Sequence, residues 1–144
     1  MRRLIITILL FTVTGSLNLT NGAGHPPVSE PQTLAPYVGK YPSELFKGVP
    51  SVKRRLRVLL GANYSLFMER LQTEMPIESV DGALVGRGCM AHSCGDEEAV
   101  LVINLADGKL HCAILSEKFG GKFKVFSENK APVPVALERA MKER

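Results

Sequence analysis

The chain of 144 residues is poor in the groups that carry catalysis. It has only three histidines, and its carboxylates and histidines are too few near one another for acid–base chemistry. Its two closest cysteines are separated by four residues, so the redox motif Cys-x-x-Cys is absent. An enzyme is therefore not expected. One basic cluster, Lys53-Arg54-Arg55-Leu56-Arg57, lacks both aromatic interleaving and a glycine-rich loop, so it reads as a solvated helix face rather than a phosphate or membrane patch. After the first residues no apolar run is long enough to cross a membrane. Tryptophan is missing, which excludes nothing, and there is no internal repeat.

What is present starts with an export signal. Arg2 and Arg3 form a positive start, and the apolar run from Leu4 to Val13 is too short to span a bilayer. The small residues Thr20, Gly22, Ala23 and Gly24 offer cleavage sites, which sets residues 1–24 as a signal peptide; the two arginines suit bacterial export, with a eukaryotic secretory route left open. An uncleaved anchor is the alternative, and the short run weighs against it. The mature chain keeps sixteen Lys and Arg against fourteen Asp and Glu, too weak a bias to imply nucleic acid. No membrane association is expected after cleavage, and a homodimer stays open.

Residues 25–40, with four prolines, one serine and one glycine, read as an extended arm, leaving residues 41–144 as one domain. Ser43 is placed as the cap of a short helical turn. Val52, Leu56, Leu59 and Leu60 share one face of a helix that Gly61 ends. Asn63 is placed as the cap of a second helix, whose stripe of Tyr64, Phe67, Met68, Leu71 and Met75 runs to Pro76. The period then changes to that of strands: Ile77–Val80, a hairpin turn at Asp81-Gly82, Ala83–Cys89, Glu98–Leu105, Lys109–Ser116 and Lys122–Ser127. A last short helix carries Val133, Leu137, Ala140 and Met141. The fold class is α+β: N-terminal helices, about five antiparallel strands and a short C-terminal helix.

The chain is organised around Gly88-Cys89-Met90-Ala91-His92-Ser93-Cys94-Gly95. Export permits disulfides, and three cysteines allow three pairings. Cys89 with Cys94 is preferred, since both end strand-like runs with a turn between them; Cys112 reads as a buried strand thiol. Closing so short a ring contributes about 2 kcal/mol, and its larger effect is to hold one loop shape. Gly88 and Gly95 are expected to let the backbone bend at both ends. A metal site on Cys89, His92 and Cys94, completed by Cys112 or His111, is crowded, and oxidation would remove its thiolates. Ser93 beside His92 names no third partner for nucleophilic catalysis. No metal and no cofactor is expected. The favoured role is presentation of an imidazole, which can donate from both nitrogens into an acidic cleft.

These residues resemble the loop signature of the inhibitor of vertebrate lysozyme (Ivy) family, whose pattern is Cys-Lys-Pro-His-Asp-Cys. Cys89, His92, Cys94 and Gly95 carry the likeness; Met90 and Ala91 stand for Lys and Pro, and Ser93 for Asp. The resemblance implies a periplasmic protein whose disulfide-closed loop enters the active-site cleft of a lysozyme-type glycosidase. His92 would be the central contact on the catalytic carboxylates, with Met90, Ala91 and Ser93 shaping the fit. The changed positions leave a second reading, a periplasmic binding or structural module of the same fold that does not inhibit lysozyme. Animal lysozymes are basic, and the run Asp96-Glu97-Glu98 offers either an acidic face to them or a solvated turn.

Overall fold

The computed structural model describes residues 34–143. The expected signal peptide, residues 1–24, and residues 25–33 of the expected arm lie outside them. The rest of that arm packs on the domain. Leu34 is fully buried, Ala35–Tyr37 make a 3-10 turn, and Gly39 and Lys40 bond the Ile77 backbone at 2.8 and 2.7 Å. One apolar anchor and two main-chain bonds hold a segment whose composition reads as a tail.

Three helices follow: α1 (Pro42–Gly48), α2 (Pro50–Leu60) and α3 (Tyr64–Glu69). Ser43 lies inside α1 and does not cap it. The Tyr41 N–H is held by Glu44 Oε2 at 3.0 Å, while the Ser43 N–H and hydroxyl donate to Glu74 at 2.8 and 2.7 Å. In α2, Val52, Leu56 and Leu60 form the expected buried stripe, and Gly61 ends it with φ +52°. Asn63 makes no cap; its side-chain amide donates back to the Leu60 carbonyl at 3.4 Å.

The second helix is shorter than its stripe suggests. It ends at Glu69, and Met75 is 47% exposed rather than core. Strand pairing wins over helical propensity here, because Thr73–Glu74 form a two-residue strand, β1, against Cys89 and Gly88.

The other strands are β2 (Glu78–Val80), β3 (Ala83–Cys89), β4 (Glu98–Asn104), β5 (Leu110–Ser116) and β6 (Lys122–Ser127). All pair antiparallel in one six-stranded sheet, with β1 and β2 both beside β3 and the order then running β3-β4-β5-β6. The strand added to the expected five is β1. Asp81 and Gly82 take φ +49° and +73°, as a tight hairpin of this hand requires. A fourth helix, α4 (Val135–Lys142), closes the chain, with Ala136, Leu137 and Ala140 buried; Val133 precedes it and is 39% exposed.

Period-two alternation puts Leu84, Ala99, Leu101, Ile103, Cys112 and Ile114 under α1 to α3, and Val85, Val100, Val102 and Ala113 under α4. Strand β4 is thus covered on both faces. Edge strand β6 leaves Lys122 and Lys124 exposed. No helix among the described residues is long and apolar enough to cross a membrane.

Candidate binding loop

Strands β3 and β4 run in register until Cys89 faces Glu98, and Met90 to Glu97 make the loop between them. Cys89 and Cys94 are joined by a disulfide with their Cα atoms 5.0 Å apart. Both sulfurs are thereby removed from thiolate ligation. Cys112 stays a free, buried thiol, its ionisation pushed up by burial, and it faces the core two strands away.

Several main-chain groups of the loop are bonded locally. The Met90 N–H donates to the Glu97 carbonyl (2.9 Å), Ser93 to Met90 (3.0 Å) and Glu97 to Ser93 (3.0 Å), while Gly95 donates to Glu98 Oε1 (2.9 Å). His92 sits at the third position of the Met90–Ser93 turn with φ +67°. Holding a non-glycine residue in that left-handed region costs on the order of 1 kcal/mol, and the ring enforces it. Ala91, His92 and Cys94 are exposed; Met90 and Ser93 are half-buried. Open depressions of about 460 and 340 Å³ meet at Gly95, the first walled by Leu115 and Glu117 and the second by Met75 and Arg87.

The two bracketing glycines do different things. Gly95 takes φ +100° and makes the bend expected of it. Gly88 does not bend the chain: a Cβ there would lie 2.9 Å from Leu71 Cδ2 and 3.0 Å from the Thr73 carbonyl oxygen. It is needed so that β1 can approach β3 at the root of the loop.

The acidic run divides three ways. Asp96 is exposed, and Glu98 is half-buried and holds Gly95. Glu97 turns inward: Arg70 Nε (2.7 Å) and Nη2 both donate to its Oε2, while the Glu117 N–H (2.9 Å) and Ser116 hydroxyl (3.2 Å) donate to Oε1. Burial raises the Glu97 carboxyl, but the Glu117 N–H, Arg70 and Ser116 together outweigh it and hold the group below the usual glutamate range. The continuous acidic face offered by the sequence is therefore not formed. The sequence alone shows Glu97 only as one of three acids in a run, and gives Arg70 and Ser116 no part in the loop. The three lie far apart in the chain, and no local pattern marks their meeting.

The opposite end of the sheet carries a second cluster. Arg55 of α2 grips Glu128 through Nε (2.9 Å) and Nη2 (2.6 Å) and also donates to the Gly108 carbonyl, while Glu128 Oε2 accepts the Leu110 N–H at 2.9 Å. His111 is 2% exposed, with Nδ1 2.9 Å from the Ser127 hydroxyl; burial pushes its ionisation down against the opposing charges of Asp107 and Glu128. The structure thus keeps His111 and Cys112 away from His92, and no cluster of metal-ligating side chains occurs among the described residues.

Fold and loop together define a class: a small α+β domain, helices on both faces of an antiparallel sheet, with a disulfide-closed loop exposed at one strand end. Residues 51–144 match the family model described as Inhibitor of vertebrate lysozyme (Ivy), and the chain belongs to that family. No curated protein and no solved structure matches the chain. The family is one of inhibitors, in keeping with the poverty of catalytic groups in the sequence.

Proposed function

We propose that this protein is exported to the periplasm and inhibits a lysozyme-type glycosidase by inserting the Cys89–Cys94 loop into the active-site cleft. Such enzymes keep two carboxylates about the scissile bond. The His92 imidazole can donate to both from its two nitrogens and so occupy the place of substrate. Met90, Ala91 and Ser93 shape the fit around it. The observation that carries the reading is the exposed His92 at the turn of a covalently closed loop in a chain of the Ivy family. A loop already held in one shape loses little entropy on docking, so each contact counts for more. The mature chain is nearly neutral, so the contact depends on the loop rather than on long-range steering.

The test is an inhibition assay of the purified mature protein against a panel of animal and bacterial lysozymes. At least one should be inhibited, and His92→Ala should weaken that inhibition by about 30-fold, the loss of a central contact worth about 2 kcal/mol. Equal inhibition by His92→Ala, or no inhibition of any lysozyme at high concentration, overturns the reading.

A further inference from the structure

Glu97 ties both ends of the loop to the body of the domain. Its main-chain carbonyl accepts the Met90 N–H just past the disulfide. Its carboxylate is gripped by Arg70, at the exit of α3, and by Ser116 and Glu117, where β5 ends. Arg70 is spread further over Glu69 Oε2 (2.8 Å), the Leu66 carbonyl (3.4 Å) and the Ser116 hydroxyl (3.3 Å). The side chains of Arg70 and Glu97 are only 8% and 10% exposed.

Stability alone does not account for such a pair. Two apolar residues of similar size commonly serve a buried position as well or better, because removing two charges from water offsets much of their attraction. What the pair adds is direction: a guanidinium fork and a carboxylate fit in one geometry, whereas apolar contacts slide. The disulfide fixes the loop's internal shape, but of the ring only Cys89 is paired in the sheet, between β1 and β4, while Ala91, His92 and Cys94 stay exposed.

We propose that Arg70, Glu97 and Ser116 form a positioning clasp that sets the angle at which the disulfide-closed loop stands on the sheet, so that His92 enters a partner's cleft already aimed. Arg70 and Glu97 are positioning residues and touch no partner. The proposal rests on the inhibitory reading for its purpose, but not for its physical content.

The clasp is tested on the free protein by backbone amide relaxation. In the wild type, Met90 to Glu97 should show order parameters near those of the strands, about 0.85. In Glu97→Gln, whose amide sets an N–H group against the arginine donors, they should fall below about 0.6 while those of β4 and β5 stay unchanged. Arg70→Lys, which keeps the charge and loses the fork, should give intermediate values and serves should Glu97→Gln fail to fold. A purely stabilising pair would lower the unfolding midpoint and leave the folded loop rigid, so unchanged order parameters in a folded variant overturn the proposal. Where a lysozyme is inhibited, the same variants should bind it about tenfold more weakly, with His92 intact. If the wild type inhibits no lysozyme while the relaxation result holds, the inhibitory reading fails and the clasp stands.

Discussion

The sheet is pinned at each end by an arginine–glutamate pair, and the two pairs are built for different loads. At the loop end the Arg70 and Glu97 side chains are 8% and 10% exposed, and a disulfide lies beside them. At the far end the Arg55 and Glu128 side chains are 26% and 19% exposed, no disulfide is present, and the pair braces the β4–β5 turn through Gly108 and Leu110. The far pair keeps contact with water and suits an ordinary turn. The near pair gives up that contact and grips an exposed loop beyond the last paired residues of the sheet.

The sharpest way to break this contrast is Arg70→Met. Leaving the Glu97 carboxylate buried without its cation should cost about 3–5 kcal/mol in urea unfolding, well above any change at the far pair. Opening the ring with Cys89→Ser and Cys94→Ser should cost about 2 kcal/mol and weaken any lysozyme inhibition by far more than that loss of stability explains. Glu128→Gln, at the wetter end, should cost about 1 kcal/mol. The smallest effect on stability belongs to His92→Ala, within about 0.5 kcal/mol, because the side chain faces solvent.

Acid separates the two ends as well. The His111 ionisation lies below its ordinary 6.5 in the folded state, so below pH 6.5 the unfolded chain takes up a proton that the folded chain refuses. Stability then falls with pH until the lowered folded value is reached. Glu97 is depressed from 4.5, so its contribution is complete above pH 4.5 and is lost only as pH falls through the lower folded value. Unfolding free energy measured from pH 7 to 3 should therefore decline first through the far end. His111→Gln should flatten the decline that begins below pH 6.5 and leave the later carboxylate step in place.

Much of this architecture was readable from the residues. Period-two runs and the turn at Asp81-Gly82 delimited the long strands almost residue for residue. The cysteine spacing pointed to the ring that forms. The errors fell where a distant partner decides. Tyr64, Phe67 and Leu71 continue a helical stripe toward Met75, but Gly88 has no side chain, and that vacancy admits Leu71 and draws Thr73 into the sheet. Likewise Glu97, between two other acids, reads as solvated until Arg70 is brought to it from 27 residues away. Local pattern carries periodicity and turn chemistry; it carries no record of which charge meets which across the fold.

The exposure of Ala91, His92 and Cys94 has a consequence for descent. These exposed positions lie outside the core, while Cys89 and the clasp of Arg70, Glu97 and Ser116 are buried. Substitutions at Ala91 and His92 can then accumulate at little cost to folding, so a lineage can rewrite the tip of the loop by editing a few codons on a frame that stays as it was.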